Sequence, residues 1–286
     1  MTADGFIGKE PFAMQALNQS IAVGPMGFSI GQLLIILAFG IALLTGALIG
    51  RRHRTPTADT LFNLLLIALV GARLVFVARY WSSYDGVLSL LDIRDGGFDP
   101  LGGLVAGLGY ATWQLWRSPR QRVPLGGALL AGVLAWGLTA GPLLLMEERG
   151  RPLPDTPLTT LAGEATDLPG LAERQGQPLV VNLWATWCPP CRREMPVFEQ
   201  AQDEASDITF AFVNQGEDVA LVNRFLDEQS LELDNVLLDA RTALGDVTGA
   251  MAMPTTLFYD AEGHLVDTHF GELSHATLRQ GLERLR

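Results

Sequence analysis

Hydropathy divides the chain into two unlike halves. In the first, four apolar stretches follow one another. Residues 28–50 (FSIGQLLIILAFGIALLTGALIG), 101–116 (LGGLVAGLGYATWQLW) and 125–146 (LGGALLAGVLAWGLTAGPLLLM) are free of charge, and 60–78 (TLFNLLLIALVGARLVFVA) holds one, Arg73. A helix needs about 20 predominantly apolar residues to cross a bilayer, so the pattern predicts a four-span membrane domain over 28–146, with 101–116 the shortest span. Gly102, Gly103, Gly107, Gly126, Gly127 and Gly132 suit close helix packing in lipid.

In the second half the apolar runs shorten and alternate with amphipathic ones. Residues 147–156 form a polar, Pro-rich linker, and 157–286 form a separate domain. There, 178–186 (PLVVNLWAT) reads as a buried strand and 189–205 as a helix entered through two prolines, where a missing N–H costs nothing. Strands follow at 208–214 and 235–239 and helices at 217–230 and 240–250. A hairpin at 255–260 and 265–270 and a helix at 274–285 close the chain. This order predicts an α/β domain with a mixed central sheet flanked by helices, parallel inside with an antiparallel edge.

Charge orients the two halves. Residues 1–146 carry ten Lys/Arg and seven Asp/Glu, whereas 147–286 carry ten Arg and 24 Asp/Glu. An acidic domain is a poor match for nucleic acid, which is bound through basic faces. Basic residues cluster in the loops at 51–54 (RRHR) and 117–122 (RSPRQR), three Arg in each, against one in 1–27 and one in 82–100. Cytoplasmic loops carry such an excess, so the segment 1–27 and everything after residue 147 are expected outside. A cleavable signal peptide fits poorly, because the basic cluster follows the first apolar run instead of preceding it.

The chemistry lies in Ala185–Arg193 (ATWCPPCRR), whose Cys188 and Cys191 are the only two cysteines of 286 residues. At a helix start, Cys188 faces free backbone N–H groups and the positive end of the helix dipole, which favour the attacking thiolate. Cys191, one turn further, is placed to resolve a mixed disulfide. Pro189 and Pro190 remove two donors near the sulfur, while Arg192 and Arg193 add positive charge, so the two effects oppose each other. A zinc site would need about four ligands, and His53, His264, His269 and His275 are scattered. A disulfide across two residues closes almost no loop and stabilises little. Copper(I) on two thiolates is the remaining metal reading. Met253-Pro254 heads a strand, a tolerated position for proline. Beside the cysteine pair, a cis Pro254 would instead expose the Met253 backbone to a substrate peptide.

The segments LVVNLWATWCPPCRREMPVFEQ, VNQGED and GAMAMPTTLFYDAEGHLVDTHFGEL resemble the TlpA/ResA-type thioredoxin-like domains, extracytoplasmic thiol–disulfide oxidoreductases of bacteria, across about 155–286. The resemblance implies function for Cys188, Cys191 and cis Pro254, with Trp184 and Trp187 flanking the site and Trp187 and Met253 meeting substrate. Thioredoxin itself has a buried Asp where this chain has Asn182, so that route for proton transfer to Cys191 is closed and Asn182 modulates the couple instead. Glu194 and Glu217 are weaker candidates for that proton transfer and read rather as a solvated helix residue and a helix cap.

The membrane half, over about 20–140, resembles prolipoprotein diacylglyceryl transferase through its Gly71-Ala72-Arg73 triplet and the DGGFDPLGGL stretch. Leu101 stands where that family has His before Gly-Gly, and GLTAGPLLL replaces its Arg-x-Gly-Asn segment. The resemblance therefore implies a non-catalytic relative that anchors or recruits. Arg73 reads equally as a mark of a partner, pathway or lipid head group and as a snorkelling or packing residue.

Together these readings predict a multi-pass protein of the bacterial inner membrane with its thioredoxin-like domain in the periplasm and no cofactor. Its substrate would be a disulfide-bearing extracytoplasmic protein, and membrane lipids surround the spans. With no cysteine in the spans, a transmembrane thiol transporter must reset the pair of a reductase, or an oxidising membrane protein that of an oxidase. Reduction is the favoured direction. The other functions weighed are oxidation, copper(I) metallochaperoning and diacylglyceryl transfer.

Overall fold

The computed structural model describes residues 20–23, 26–84, 86–145, 150–250 and 252–286; most of the segment expected at 1–27 lies outside them. The described part opens on an antiparallel hairpin, β1 (Ser20–Val23) and β2 (Met26–Ser29). It is followed by α1 (Ile30–His53), α2 (Ala58–Arg79), the short α3 (Val87–Leu91), α4 (Pro100–Arg117) and α5 (Arg122–Leu145).

Helix α1 packs along α5 and α2 along α4. Small residues permit the close approach of the second pair. A Cβ on Gly71 would come within 2.4 Å of Ala106 Cβ, one on Gly102 within 2.6 Å of Val75, and Gly103 faces Ala68 and Ala72. Asp99 caps α4, its carboxylate accepting the Gly102 N–H at 2.6 Å, with Pro100 in the first turn. Outward side chains such as Leu44, Leu66, Leu74 and Leu130 stand exposed, the arrangement of helices that face lipid.

Three of these helices, at Gly31–His53, Ala58–Arg79 and Pro119–Pro142, are long and apolar enough to cross a membrane. The fourth expected span, α4, is 18 residues long. Four glycines, Gln114 and Arg117 dilute its apolar character.

The second half holds β3 (Leu158–Thr160), β4 (Ala165–Thr166), α6 (Leu168–Gln175), β5 (Leu179–Trp184), α7 (Pro189–Glu204), β6 (Thr209–Gln215) and α8 (Val219–Gln229). Then come β7 (Val236–Asp239), α9 (Ala243–Thr248), β8 (Thr255–Tyr259), β9 (Leu265–Phe270) and α10 (His275–Glu283). Their seven strands form one sheet in the order β4-β3-β7-β6-β5-β8-β9. Strands β5, β6 and β7 run parallel, while β3, β4, β8 and β9 add antiparallel pairings, so both edges are antiparallel.

Central β5 is buried along its whole length. Val180 and Trp184 join one core with Phe198 and Phe212, and Leu179, Val181 and Leu183 join the other with Ala211 and Leu257. A strand covered on both faces reads as a continuous apolar run, which is why its sequence signal is strong. Strands β3 and β4 and helix α6 are short, and β3 lies beside the Pro-rich linker, so neither periodicity nor composition marks them.

The halves touch through α10, whose Ala276 is buried with Phe76 and Tyr80 of α2. The Tyr80 hydroxyl donates to Glu283 at 3.0 Å, and Arg279 donates to Ser82 Oγ at 3.1 Å.

Candidate redox site

Strand β5 ends at Trp184, and the chain turns through Ala185–Trp187 into α7. Cys188 is the N-cap of that 16-residue helix, with Pro189 and Pro190 as its first two residues. The sulfurs of Cys188 and Cys191 are joined at 2.07 Å. Cys188 Sγ also accepts the Cys191 backbone N–H at 3.3 Å, so the cap that helices usually draw from a hydroxyl or carboxylate is here a sulfur. Cys191 is fully buried and Cys188 nearly so. Charge on Cys188 sulfur is therefore met by a backbone donor and the helix N-terminus, and the attacking role fits this position better than it fits Cys191.

The other residues expected at the site are distributed around this turn. Trp187 is 66% exposed next to Cys188, whereas Trp184 is fully buried and packs with its ring centroid 5.4 Å from that of Phe225, the two rings tilted. Met253 packs against the cluster that contains both cysteines. The Met253–Pro254 peptide is cis, and the Pro254 carbonyl accepts the Gly271 N–H at 2.9 Å. The arginines after the pair are engaged: Arg192 lies 5.2 Å over the Phe225 ring, and Arg193 binds the Glu272 carboxylate with Nε and Nη2.

Two acids correct the sequence reading. Glu194, expected in solvent, has no exposure at all. It follows Cys191 by three residues, a spacing that stacks side chains on one helix face, and that spacing was the available signal. Its Oε1 accepts from Asn182 Nδ2 at 2.8 Å and its Oε2 from the Leu273 N–H at 3.0 Å. Asn182 also donates to Thr256 Oγ1 at 3.1 Å. Burial pushes the Glu194 carboxyl up to about 8, with the Glu272 charge adding to the rise, while the Leu273 and Asn182 hydrogen bonds oppose it. A group that holds or yields a proton near neutrality thus sits one turn behind Cys191, on the face opposite to solvent. The buried carboxyl beside Asn182 is thus carried by α7.

Glu217 is likewise not a cap, since Asp218 caps α8 by accepting the Leu221 N–H. Glu217 instead accepts the Thr186 N–H at 2.7 Å, the Thr186 hydroxyl at 2.6 Å and Asn214 Nδ2 at 2.7 Å. It ties the turn that presents Trp187 and Cys188 to the end of β6. No local pattern in the sequence marks this role.

Arg73 lies apart from the cysteines. Its guanidinium donates to the carbonyls of Leu90, Asp92 and Gly97 and to Asp95 Oδ1, at 2.6–3.2 Å. This is a packing network within the membrane half, with Asp95 as the ion-pair partner. Leu101, in the first turn of α4, is 68% exposed. Among the described residues no group of three or more His, Cys, Asp or Glu is arranged to hold a metal ion.

Comparison with known proteins agrees with this division of labour. Residues 148–282 match the Redoxin family and residues 20–143 the prolipoprotein diacylglyceryl transferase family. The chain is 31% identical to the thioredoxin-like protein YneN of Bacillus subtilis, over 54% of this chain and 92% of that protein. It is 30% identical to the thiol-disulfide oxidoreductase ResA of Halalkalibacterium halodurans, over 45% of this chain and 72% of that one. With the thiol:disulfide interchange protein DsbE of Pseudomonas fluorescens the identity is 32%, over 56% and 89%. The chain belongs to the thioredoxin-like thiol–disulfide oxidoreductases, joined to an amino-terminal domain of the prolipoprotein diacylglyceryl transferase family.

Proposed function

We propose that this protein is a membrane-anchored thiol–disulfide reductase acting outside the cytoplasmic membrane through Cys188 and Cys191. The observation that carries the reading is the Cys188 sulfur at the N-cap of α7, bonded to Cys191 with Glu194 buried one turn behind. In the reduced pair, the Cys188 thiolate attacks one sulfur of a substrate disulfide, and the other substrate sulfur leaves as a thiolate. Cys191, giving its proton to the Glu194 carboxylate, attacks the Cys188 sulfur of the mixed disulfide. The Cys188–Cys191 bond re-forms and the second substrate sulfur departs as a thiolate. Two electrons pass to the substrate, whose thiolates take protons from Glu194 and solvent.

Trp187 and the Met253–Pro254 backbone flank the pair as the substrate surface in this reading, with Pro189, Pro190 and Asn182 modulating the couple. The direction rests on the resemblance to the ResA type. A transmembrane thiol transporter returns electrons, because the spans hold no cysteine. The four-span topology, with the Arg51–Arg54 and Arg117–Arg122 loops in the cytoplasm, is supported by α4. Contacts from Gly102 at Val75 to Gly107 at Leu64 run antiparallel along α2, so α4 shares the depth of a helix that is itself long enough to cross. Leu101 lacks the titratable side chain that the transferase family carries there, and the membrane domain is read as an anchor.

Trapping tests the proposal. In cells making the full chain, Cys191→Ala should accumulate mixed disulfides on Cys188, Cys188→Ser should abolish them, and alkylation should find the wild-type pair mostly reduced. A mostly oxidised pair would reverse the direction. Disulfide exchange that survives Cys188→Ser would sink the mechanism.

A further inference from the structure

The membrane half reaches the redox site through a chain of hydrogen bonds. Asp95 lies between α3 and α4 and is almost fully buried. Its Oδ1 accepts from Arg73 Nη1 and from the Gly97 N–H, each at 3.1 Å. Its Oδ2 accepts the hydroxyl of Ser274, in the other domain, at 2.8 Å. Ser274 is the N-cap of α10, with its oxygen accepting the Thr277 N–H and its own N–H donating to Thr277 Oγ1. The preceding residue, Leu273, is buried and gives its N–H to Glu194. A carboxylate held by an arginine of a membrane helix therefore grips the residue next to the amide that binds the acid behind Cys191.

We propose that Asp95 and Ser274 are positioning residues for the redox site: the membrane half, through the Arg73–Asp95–Ser274 chain, fixes the Leu273 amide against Glu194. This rests on the reading of Glu194 as the proton carrier for Cys191. The domain in front of the thioredoxin fold is then part of the redox device as well as its anchor, and docking of the halves sets how readily the buried acid ionises. The Leu273 hydrogen bond is the strongest of the interactions that favour the Glu194 carboxylate, so slackening it raises the carboxyl midpoint. Loss of the Asp95 charge acting directly through space would lower it. The sign of the shift separates positioning from plain electrostatics.

The groups that bear on Glu194 are few. Glu272 raises its midpoint and is itself bound by Arg193. Arg94, on the membrane half, feels Glu272. His269 lies in register with Thr256, which takes a hydrogen bond from Asn182. The two cysteines are disulfide-bonded and do not titrate in the oxidised protein.

The experiment uses the oxidised full chain in lipid nanodiscs. The protonated-carboxyl stretch of Glu194, identified as the infrared band missing from Glu194→Gln, is followed against pH. Ser274→Gly removes the hydroxyl that Asp95 holds yet keeps an accepted N-cap residue. Asp95→Asn changes the other side of the contact, and its fold is checked by thermal melting. Ser274→Gly, which leaves every charge in place, is expected to move the midpoint up by about half a unit, roughly threefold in proton affinity, and Asp95→Asn, which also removes a charge, to move it less. An unmoved or lowered midpoint in Ser274→Gly overturns the proposal. Because the band is read without substrate, this outcome is independent of whether Cys188→Ser abolishes exchange.

Discussion

A buried acid whose carboxyl has been pushed from 4.5 up to about 8 must leave a mark on stability. The folded state binds its proton more tightly than the unfolded chain does. The group's contribution is thus complete below about pH 4.5, is lost as pH rises toward 8, and is flat beyond. The full gap is worth on the order of 5 kcal/mol, and on the order of 3 kcal/mol has gone by pH 7. Replacing Glu194 by Gln removes the titration. It also puts an NH2 group, which cannot accept, where either form of the carboxyl still offers an oxygen to the Asn182 amide or the Leu273 N–H, at a cost of about 1–3 kcal/mol. The two effects oppose each other and only one depends on pH. The variant should be the less stable protein at pH 5 and the more stable one at pH 9, with the sign changing between. The assay is urea unfolding of the full chain in nanodiscs, scored by pulse proteolysis of the thioredoxin-like half. Other titrations, including that of His269, whose pKa burial lowers, cancel in the difference between the two proteins. A difference that stays constant from pH 5 to pH 9 would refute the assignment of Glu194 as a destabilising, proton-holding acid.

Glu217→Ala strips the partner from the Thr186 N–H and from Asn214 Nδ2, and denaturant unfolding should show a loss of at least about 1–3 kcal/mol, with part recovered in Glu217→Gln. Gly281→Ala would place a Cβ 2.5 Å from the Phe258 ring, an overpacking cost of about 1–3 kcal/mol that lowers the melting temperature without changing the membrane half. Gly97→Val would drive a side chain into Phe76 and the Arg73 guanidinium, each within 2.7 Å of the added Cβ. Limited proteolysis should then cut the 92–97 segment faster than in the wild type.

What the sequence disclosed and what it withheld divide along a physical line. Continuous apolar runs mark elements buried on all sides, so β5 and the long membrane helices stand out from single residues and their neighbours. A cysteine at a strand-to-helix junction declares its chemistry because the helix terminus that activates it is built from the next few residues. Elements of two or three residues, such as β3 and β4, carry too little pattern to rise above a Pro-rich background. Short α4 is the intermediate case: its glycines weaken the hydropathy that would mark it as a span, and the same glycines let it lie against α2.

Glu194 shows where local reading stops. Its charge argues for solvent, and only its three-residue offset from Cys191 argues for the interior, so the weaker local signal was the true one. The decisive facts are a donor from β5, Asn182, and an amide from the far end of the domain, Leu273, and neither is near it in sequence. The contact of Asp95 with Ser274 spans 179 residues and joins the region that matches one family to the region that matches the other. Asp95 meets Arg73 and the Gly97 N–H with one carboxyl oxygen, and its other oxygen holds the redox domain at Ser274, the residue next to the amide that binds the buried acid.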